Sequence, residues 1–192
     1  SKCDFGFVNP MPKGEILDFF YKNIYRSPNR PPFWCTKDIS EIESETISDK
    51  NLNYLLYITS MVDFNKINSI LDFGAGYGDI GYLLKKKFPH IELYSCEDDK
   101  YCEDILLKRN FKNFNRLSEI NKKFDLVITL HSLEHLDNLE IFGNFYKILN
   151  EKGSIFFEVP NCTKDYFNGR IYDSPHLLFF TEKSFKKIAQ IY

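Results

Sequence analysis

The sequence lacks an excess of basic charge: 25 Lys and Arg stand against 27 Asp and Glu, leaving a formal net charge of −2 and a pI near 6.1. A phosphate backbone is held by a positive field, so nucleic-acid partners are disfavoured. The run Lys85-Lys86-Lys87 reads more simply as the carboxyl end of a helix. Long apolar runs are also missing. None approaches the roughly 20 residues that cross a bilayer, and the amino end carries no signal-like hydrophobic region, so no membrane association is expected. Cysteine is scarce and unpaired in pattern. Cys3, Cys35, Cys96, Cys102 and Cys162 are odd in number, scattered and never spaced C-x-x-C, which argues against a disulfide framework and fits free thiols in the cytoplasm. There is no internal repeat and no low-complexity tract. What remains is 192 residues, 43% hydrophobic and 17% aromatic, enough for one globular domain with a full core.

The most informative stretch is residues 69–81, Ser-Ile-Leu-Asp-Phe-Gly-Ala-Gly-Tyr-Gly-Asp-Ile-Gly. Ile70 and Leu71 read as a strand end and Asp72 as its carboxyl edge. Gly74, Gly76 and Gly78 allow a tight turn and close approach of a ligand where a β-carbon would collide. A helix follows, with Ile80, Leu83, Leu84 and Phe88 on one face and Pro89 as its stop. Gly76, Gly78 and Gly81 also satisfy the dinucleotide pattern G-x-G-x-x-G, but that register forces Gly74 and Ala75 into the strand. A second apolar run, 91–96, ends at Glu97, nineteen residues after Gly78. A carboxylate at that strand tip accepts ribose hydroxyl protons, with Asp98 beside it; the plainer alternative is a solvated loop capping the next helix.

Beyond Ser69, strands and helices alternate, which requires a parallel sheet with helices on both faces. A helix is expected over 100–109, a short strand over 113–117, a strand over 124–130, a helix carrying Leu139, Phe142, Phe145, Ile148 and Leu149, a strand over 153–159, and a last helix starting at the cap Thr181. Before Ser69, helices are expected over 15–25 and 49–64, separated by a bend at Pro28, Pro31 and Pro32 beside Trp34. Residues 1–66 thus form a helical cap and 67–192 a core.

Asp72-Phe73-Gly74-Ala75-Gly76-Tyr77-Gly78 resembles the D/E-x-G-x-G-x-G loop of class I S-adenosylmethionine-dependent methyltransferases. The resemblance extends to Leu133-Glu134-His135 after the fourth strand, to Val159-Pro160-Asn161 after the fifth, and to His176-Leu177-Leu178-Phe179-Phe180-Thr181, which is similar to the H-x-x-x-F-T/S segment of the sugar and other small-molecule branch. Each piece is weak, but their joint order is specific. It implies a Rossmann-like α/β fold, S-adenosylmethionine as cofactor, and methyl transfer to a small-molecule acceptor, an oxygen of a sugar, sugar nucleotide or surface-glycan intermediate. Cofactor contacts are then expected from Asp72, Gly74, Ala75, Gly76, Gly78, Glu97, Asp98, Ser118 (with Glu119 as its rival) and Tyr25, which matches the second aromatic position of a Y-x-x-x-Y segment. Core packing is the equal alternative for Tyr21 and Tyr25.

The leader, residues 2–12, is similar to a C-x-x-C-G…N-P-x-P knuckle, but only Cys3 of its cysteines stands here, so no metal is expected. Both ends look cut. The family fold adds a strand pair beside the fifth strand, and without it that strand would be an exposed apolar edge, so either native carboxyl-terminal residues are missing or a partner covers that edge.

Methyl transfer from a sulfonium mainly needs alignment, and an oxygen or carbon acceptor benefits from a proton acceptor, most often His. His176, from the H-x-x-x-F-T segment, is the first catalytic candidate, followed by His131 and His135; Pro175 stands where relatives often carry Glu. Bracing of a short helix is the alternative role for His131 and His135. Arg170 and Tyr172 are the expected substrate contacts. Two other readings compete: a cofactor-binding module without catalysis, and a zinc hydrolase, because His131-Ser132-Leu133-Glu134-His135 is literally H-x-x-E-H. A milder variant places a divalent cation on Glu134 and His135 within a methyltransferase, as the resemblance to ubiquinone-pathway O-methyltransferases implies for the matching acid-histidine pair.

Overall fold

The computed structural model describes residues 3–25, 48–168 and 175–192. The chain enters through a two-residue strand, β1 (Gly6–Phe7), helix α1 (Gly14–Phe20) and a π turn at Tyr21–Tyr25, and resumes at helix α2 (Asp49–Met61). Strand β2 (Ser69–Phe73), helix α3 (Asp79–Lys87), strand β3 (Glu92–Cys96), helix α4 (Lys100–Lys108) and strand β4 (Lys112–Phe114) follow. The second half runs through β5 (Phe124–Leu130), α5 (Glu140–Ile148), β6 (Leu149–Glu158), the short β7 (Leu178–Phe179) and α6 (Glu182–Ile188).

The main sheet has the order β4-β3-β2-β5-β6 and is parallel throughout. The chain winds outward from β2 to β4, then returns to β5 on the other side of β2. In such sheets a crevice opens above the carboxyl ends of the two central strands, where the winding reverses. Successive residues of a strand face opposite layers, and the two cores show it. Ile70 packs with Ile58 of α2, Ile80 and Leu84 of α3 and Leu106 of α4, whereas Leu71 packs with Phe142 and Phe145 of α5. Each such fully buried aliphatic side chain contributes about 1.5–3 kcal/mol. Among the described residues, no helix is long and apolar enough to cross a membrane.

Several boundaries differ from the sequence expectation. The helix expected over 15–25 changes to wider π winding at Tyr21, and the helix expected over 49–64 ends at Met61, with a separate 3-10 turn at Phe64–Lys66. Strand β6 begins at Leu149, because Leu149 already pairs with Phe124 across a register shift. Pairing of β1 with β7, antiparallel, ties the leader to the carboxyl-terminal third; two-residue strands carry no readable periodicity. Phe5 and Met11 join the α5 core, and α2 joins the other, so the residues before Ser69 reach both faces.

Helix α6 starts at the expected cap. Thr181 Oγ1 accepts from the Ser184 backbone N–H at 3.2 Å, and Ser184 Oγ accepts from the Thr181 N–H at 2.9 Å. Because both residues are buried, Thr181→Ala should lower stability by about 1 kcal/mol, read as a fall in the urea midpoint at constant m-value. An unchanged midpoint would show that the cap is replaced by solvent.

Candidate functional site

Three loops meet above the carboxyl ends of β2, β3 and β5. Strand β2 ends at Phe73, so Gly74 is the first loop residue, the register of D-x-G-x-G-x-G. Gly74, Gly76 and Gly78 all have left-handed backbones, at φ 66°, 55° and 69°. At Gly74 an added β-carbon would lie 2.2 Å from Ser132 Oγ, and at Gly78 it would lie 2.8 Å from the Phe111 ring. The first glycine therefore admits the loop after β5, and the last admits the aromatic that packs beneath α3.

Glu97, at the tip of β3, reaches into this loop. Its Oε2 accepts from the Gly76 N–H at 2.7 Å and its Oε1 from the Asp99 N–H at 3.1 Å. A carboxylate has about four acceptor sites, so it can take vicinal hydroxyls as well as backbone donors. Asn113 donates to the Glu97 carbonyl at 2.9 Å and is held in turn by Ser95 Oγ at 2.8 Å. The Ala75 carbonyl accepts from the Gly78 N–H at 2.8 Å, closing the turn. Arg109 braces the far side, donating to Asp79 at 2.7 Å and to the Tyr77 carbonyl.

Asp72 is 5% exposed and accepts from the Gly81 N–H at the start of α3. Burial, reinforced by the charges of Glu97 and Asp79, pushes its carboxyl from 3.8 up to about 7. A group raised in the folded state contributes most below its unfolded pKa. Stability should thus decline as pH rises from about 4 to 7, by up to about 4 kcal/mol once Asp72 is fully ionised. Asp72→Asn removes that penalty, so its melting temperature should exceed the parent's at pH 8 and match it near pH 4. A variant equally or less stable at pH 8 would contradict a strained carboxylate there.

Of the other expected cofactor contacts, Asp98 is exposed beside Glu97, and its charge bears on Tyr21. Ser118 is exposed in a 3-10 turn, Leu117–Glu119, and Glu119 accepts from the Asn115 N–H at 3.1 Å. Tyr21 and Tyr25 stand edge to face at 5.3 Å and flank His135, with ring centroids 6.4 and 6.2 Å away. The π turn therefore lies between the tip of β3 and the loop after β5.

The histidines divide into two groups. His131, first after β5, has a left-handed backbone at φ 53°, costly for a residue with a β-carbon and held by its N–H to the Glu158 carbonyl at 2.9 Å. Its Nε2 lies 3.0 Å from Glu158 Oε1 and 3.1 Å from Tyr54 Oη, and its Nδ1 lies 3.3 Å from Glu134 Oε1. Tyr54 also donates to Glu158 at 2.6 Å; burial and that carboxylate hold its hydroxyl above the usual tyrosine range. His135 faces the other way, its ring edge to face with His176 at 5.0 Å, and Tyr166 Oη lies 3.3 Å from His176 Nδ1. Burial, chiefly, lowers His135 to about 4, so its ring is neutral at physiological pH.

The H-x-x-E-H reading needs both outer histidines on one ion. Among the described residues, the donors that converge are instead Glu134, His135 and His176, and His131 is not among them. The segment forms a single 3-10 turn, Leu133–His135, where a zinc helix would need several turns. Arg170 and Tyr172 lie outside the described residues. Sequence reading missed Tyr54, Glu158 and Asn113. Glu158 could have been found as the polar residue ending an apolar strand; Tyr54 carried no comparable signal.

A family model described as "Methyltransferase domain" matches residues 41–192. No curated protein matches the sequence. Solved structures similar in fold include coclaurine N-methyltransferase bound to N-methylheliamine and SAH (15% identity, TM-score 0.57, 71% of this chain and 47% of that one). PigF with SAH (15%, TM-score 0.59, 72% and 48%) is another. A third is the plantazolicin methyltransferase BpumL in complex with a pentazolic desmethylPZN analog and SAH (13%, TM-score 0.60, 83% and 63%). The chain spans about half the length of the first two.

Proposed function

The chain belongs to the family of methyltransferase domains, and from that premise we propose that it binds S-adenosylmethionine across the tips of β2 and β3 and transfers its methyl group to a small-molecule acceptor. One observation carries the reading. Three left-handed glycines directly follow β2, and the acid at the tip of β3 is bonded to the middle one, so a single ligand can touch both. The amino-acid end of the cofactor lies against residues 74–78, and Glu97 takes both ribose hydroxyls. Asp72 fixes the loop from below, Asp98 flanks the ribose, and the adenine lies toward residues 114–119, within reach of Ser118. Tyr25 and the rest of the π turn cover the sulfonium from above.

The acceptor enters over β5 and β6, between two groups of side chains: His131 with Tyr54 and Glu158, and His135 with His176. An in-line displacement on an activated carbon asks the protein to align the two atoms and exclude water. For a hydroxyl acceptor, His176 is the group that assists loss of the proton; His135, held neutral and weakly basic, positions it. The acceptor class is an oxygen of a sugar, sugar nucleotide or surface-glycan intermediate, supported by the likeness of the H-x-x-x-F-T segment alone. Arg170 and Tyr172 are assigned to acceptor contact by their place in the same stretch. Cys3, Cys96, Cys102 and Cys162 are in no disulfide among the described residues; a cytoplasmic location is part of this proposal.

Calorimetric titration with S-adenosylhomocysteine tests the cofactor assignment. One saturable site per chain is expected, with no heat from a nicotinamide dinucleotide. The reverse preference would overturn it.

A further inference from the structure

The loop after β5 and the segment before β7 bring three ligand atoms together that methyl transfer by itself does not require. One atom each from Glu134, His135 and His176 lies within 4.8 Å of the other two. Glu134 is 1% exposed, and its Oε2 is buried with no hydrogen-bond partner. His135 Nδ1 is likewise buried and without a partner. Leaving two such atoms unsatisfied is costly, more so for a charged one, unless something occupies the space between them.

The surroundings prepare these atoms as ligands. His135 is bonded to the Pro175 carbonyl, and since Nδ1 has no partner, the nitrogen that donates is Nε2. That fixes the tautomer with the Nδ1 lone pair directed inward, the usual outer support of a metal-bound histidine. Glu134 Oε1 is 3.3 Å from His131 Nδ1, which orients the carboxylate and leaves Oε2 for the cluster. The Tyr166 hydroxyl does the same for the His176 ring.

We propose that Glu134, His135 and His176 form a binding site for a divalent first-row transition-metal ion of the zinc type; the sequence reading assigns no metal and keeps a cation on Glu134 and His135 only as a variant, without His176 as the third ligand. Two imidazole nitrogens and one carboxylate oxygen suit such an ion, whereas magnesium takes oxygen ligands and keeps its waters. Three protein ligands leave a coordination position for water or another oxygen ligand. If the methyl-transfer reading holds, that position takes the acceptor hydroxyl, and the bound ion lowers its pKa in place of proton acceptance by the His176 ring. The ion site itself does not depend on that reading.

The test is titration of the purified chain, stripped with chelator, with Co²⁺ followed by its ligand-field absorption, and then displacement by Zn²⁺. One ion per chain is expected, unaffected by excess Mg²⁺. His176→Ala, at a half-buried ring, and Glu134→Gln, which keeps the buried shape, should each weaken binding at least about 100-fold. His90→Ala, whose Nε2 faces the Ile67 carbonyl, should bind as the parent does. Circular dichroism of each variant separates lost binding from lost fold. Equal Co²⁺ affinity in parent and His176→Ala, or no uptake by the folded parent, would overturn the site. S-adenosylhomocysteine affinity, measured on the same stripped samples, reports separately on the cofactor reading.

Discussion

Gly76→Val is expected to abolish binding of S-adenosylhomocysteine, a loss of at least about 100-fold or 2.7 kcal/mol. Gly76 has φ 55°, a conformation that costs a residue with a β-carbon about 1–2 kcal/mol and is worse for a β-branched one. Relief of that strain means moving the loop. Its N–H would then leave Glu97 Oε2, now 2.7 Å away, and the acid would lose the bond that holds it over the crevice. A valine that stayed in place would put two methyl groups where the ligand approaches the backbone. Both routes remove the site while sparing the cores, whose residues do not include Gly76. Calorimetry on a variant with the parent's circular dichroism reads the effect. Unchanged affinity would contradict the assignment.

His176→Ala should give the opposite pattern. The ring stands with His135 and Tyr166, apart from the glycine loop, so affinity for S-adenosylhomocysteine should stay within about twofold of the parent. Transfer to an oxygen acceptor should fall by about 10²–10⁴-fold in kcat, the usual contribution of a group that handles the proton. The same fall follows whether the ring takes the proton or holds an ion that acidifies the hydroxyl. Rate measurements across a panel of sugar nucleotides, with labelled cofactor, provide the readout. Full activity in this variant would remove His176 from the chemistry.

The glycine loop and the place of Glu97 were legible because their signals are local. A β-strand, three glycines and a helix start occupy thirteen consecutive residues, 69–81, and the spacing to Glu97 follows from one strand-helix-strand unit. The parallel sheet with helices on both faces followed for the same reason, since alternating strands and helices admit few windings; the strand order did not. The proposed acceptor side is built from distant parts. Tyr54 meets His131 across 77 residues and Glu158 across 104, separations over which no periodic pattern reports. His131 and His135 are expected one helical turn apart; a left-handed backbone at His131 followed by a single 3-10 turn sends them to different neighbours. The orphaned Glu134 Oε2 and His135 Nδ1 are likewise products of tertiary burial, invisible to composition.

A crystal structure of the chain grown with S-adenosylhomocysteine tests the central claim most directly. The account predicts ligand density across the tips of β2 and β3, with the amino-acid tail against residues 74–78 and both ribose hydroxyls on Glu97. Density elsewhere, or an empty crevice at saturating ligand, would contradict it.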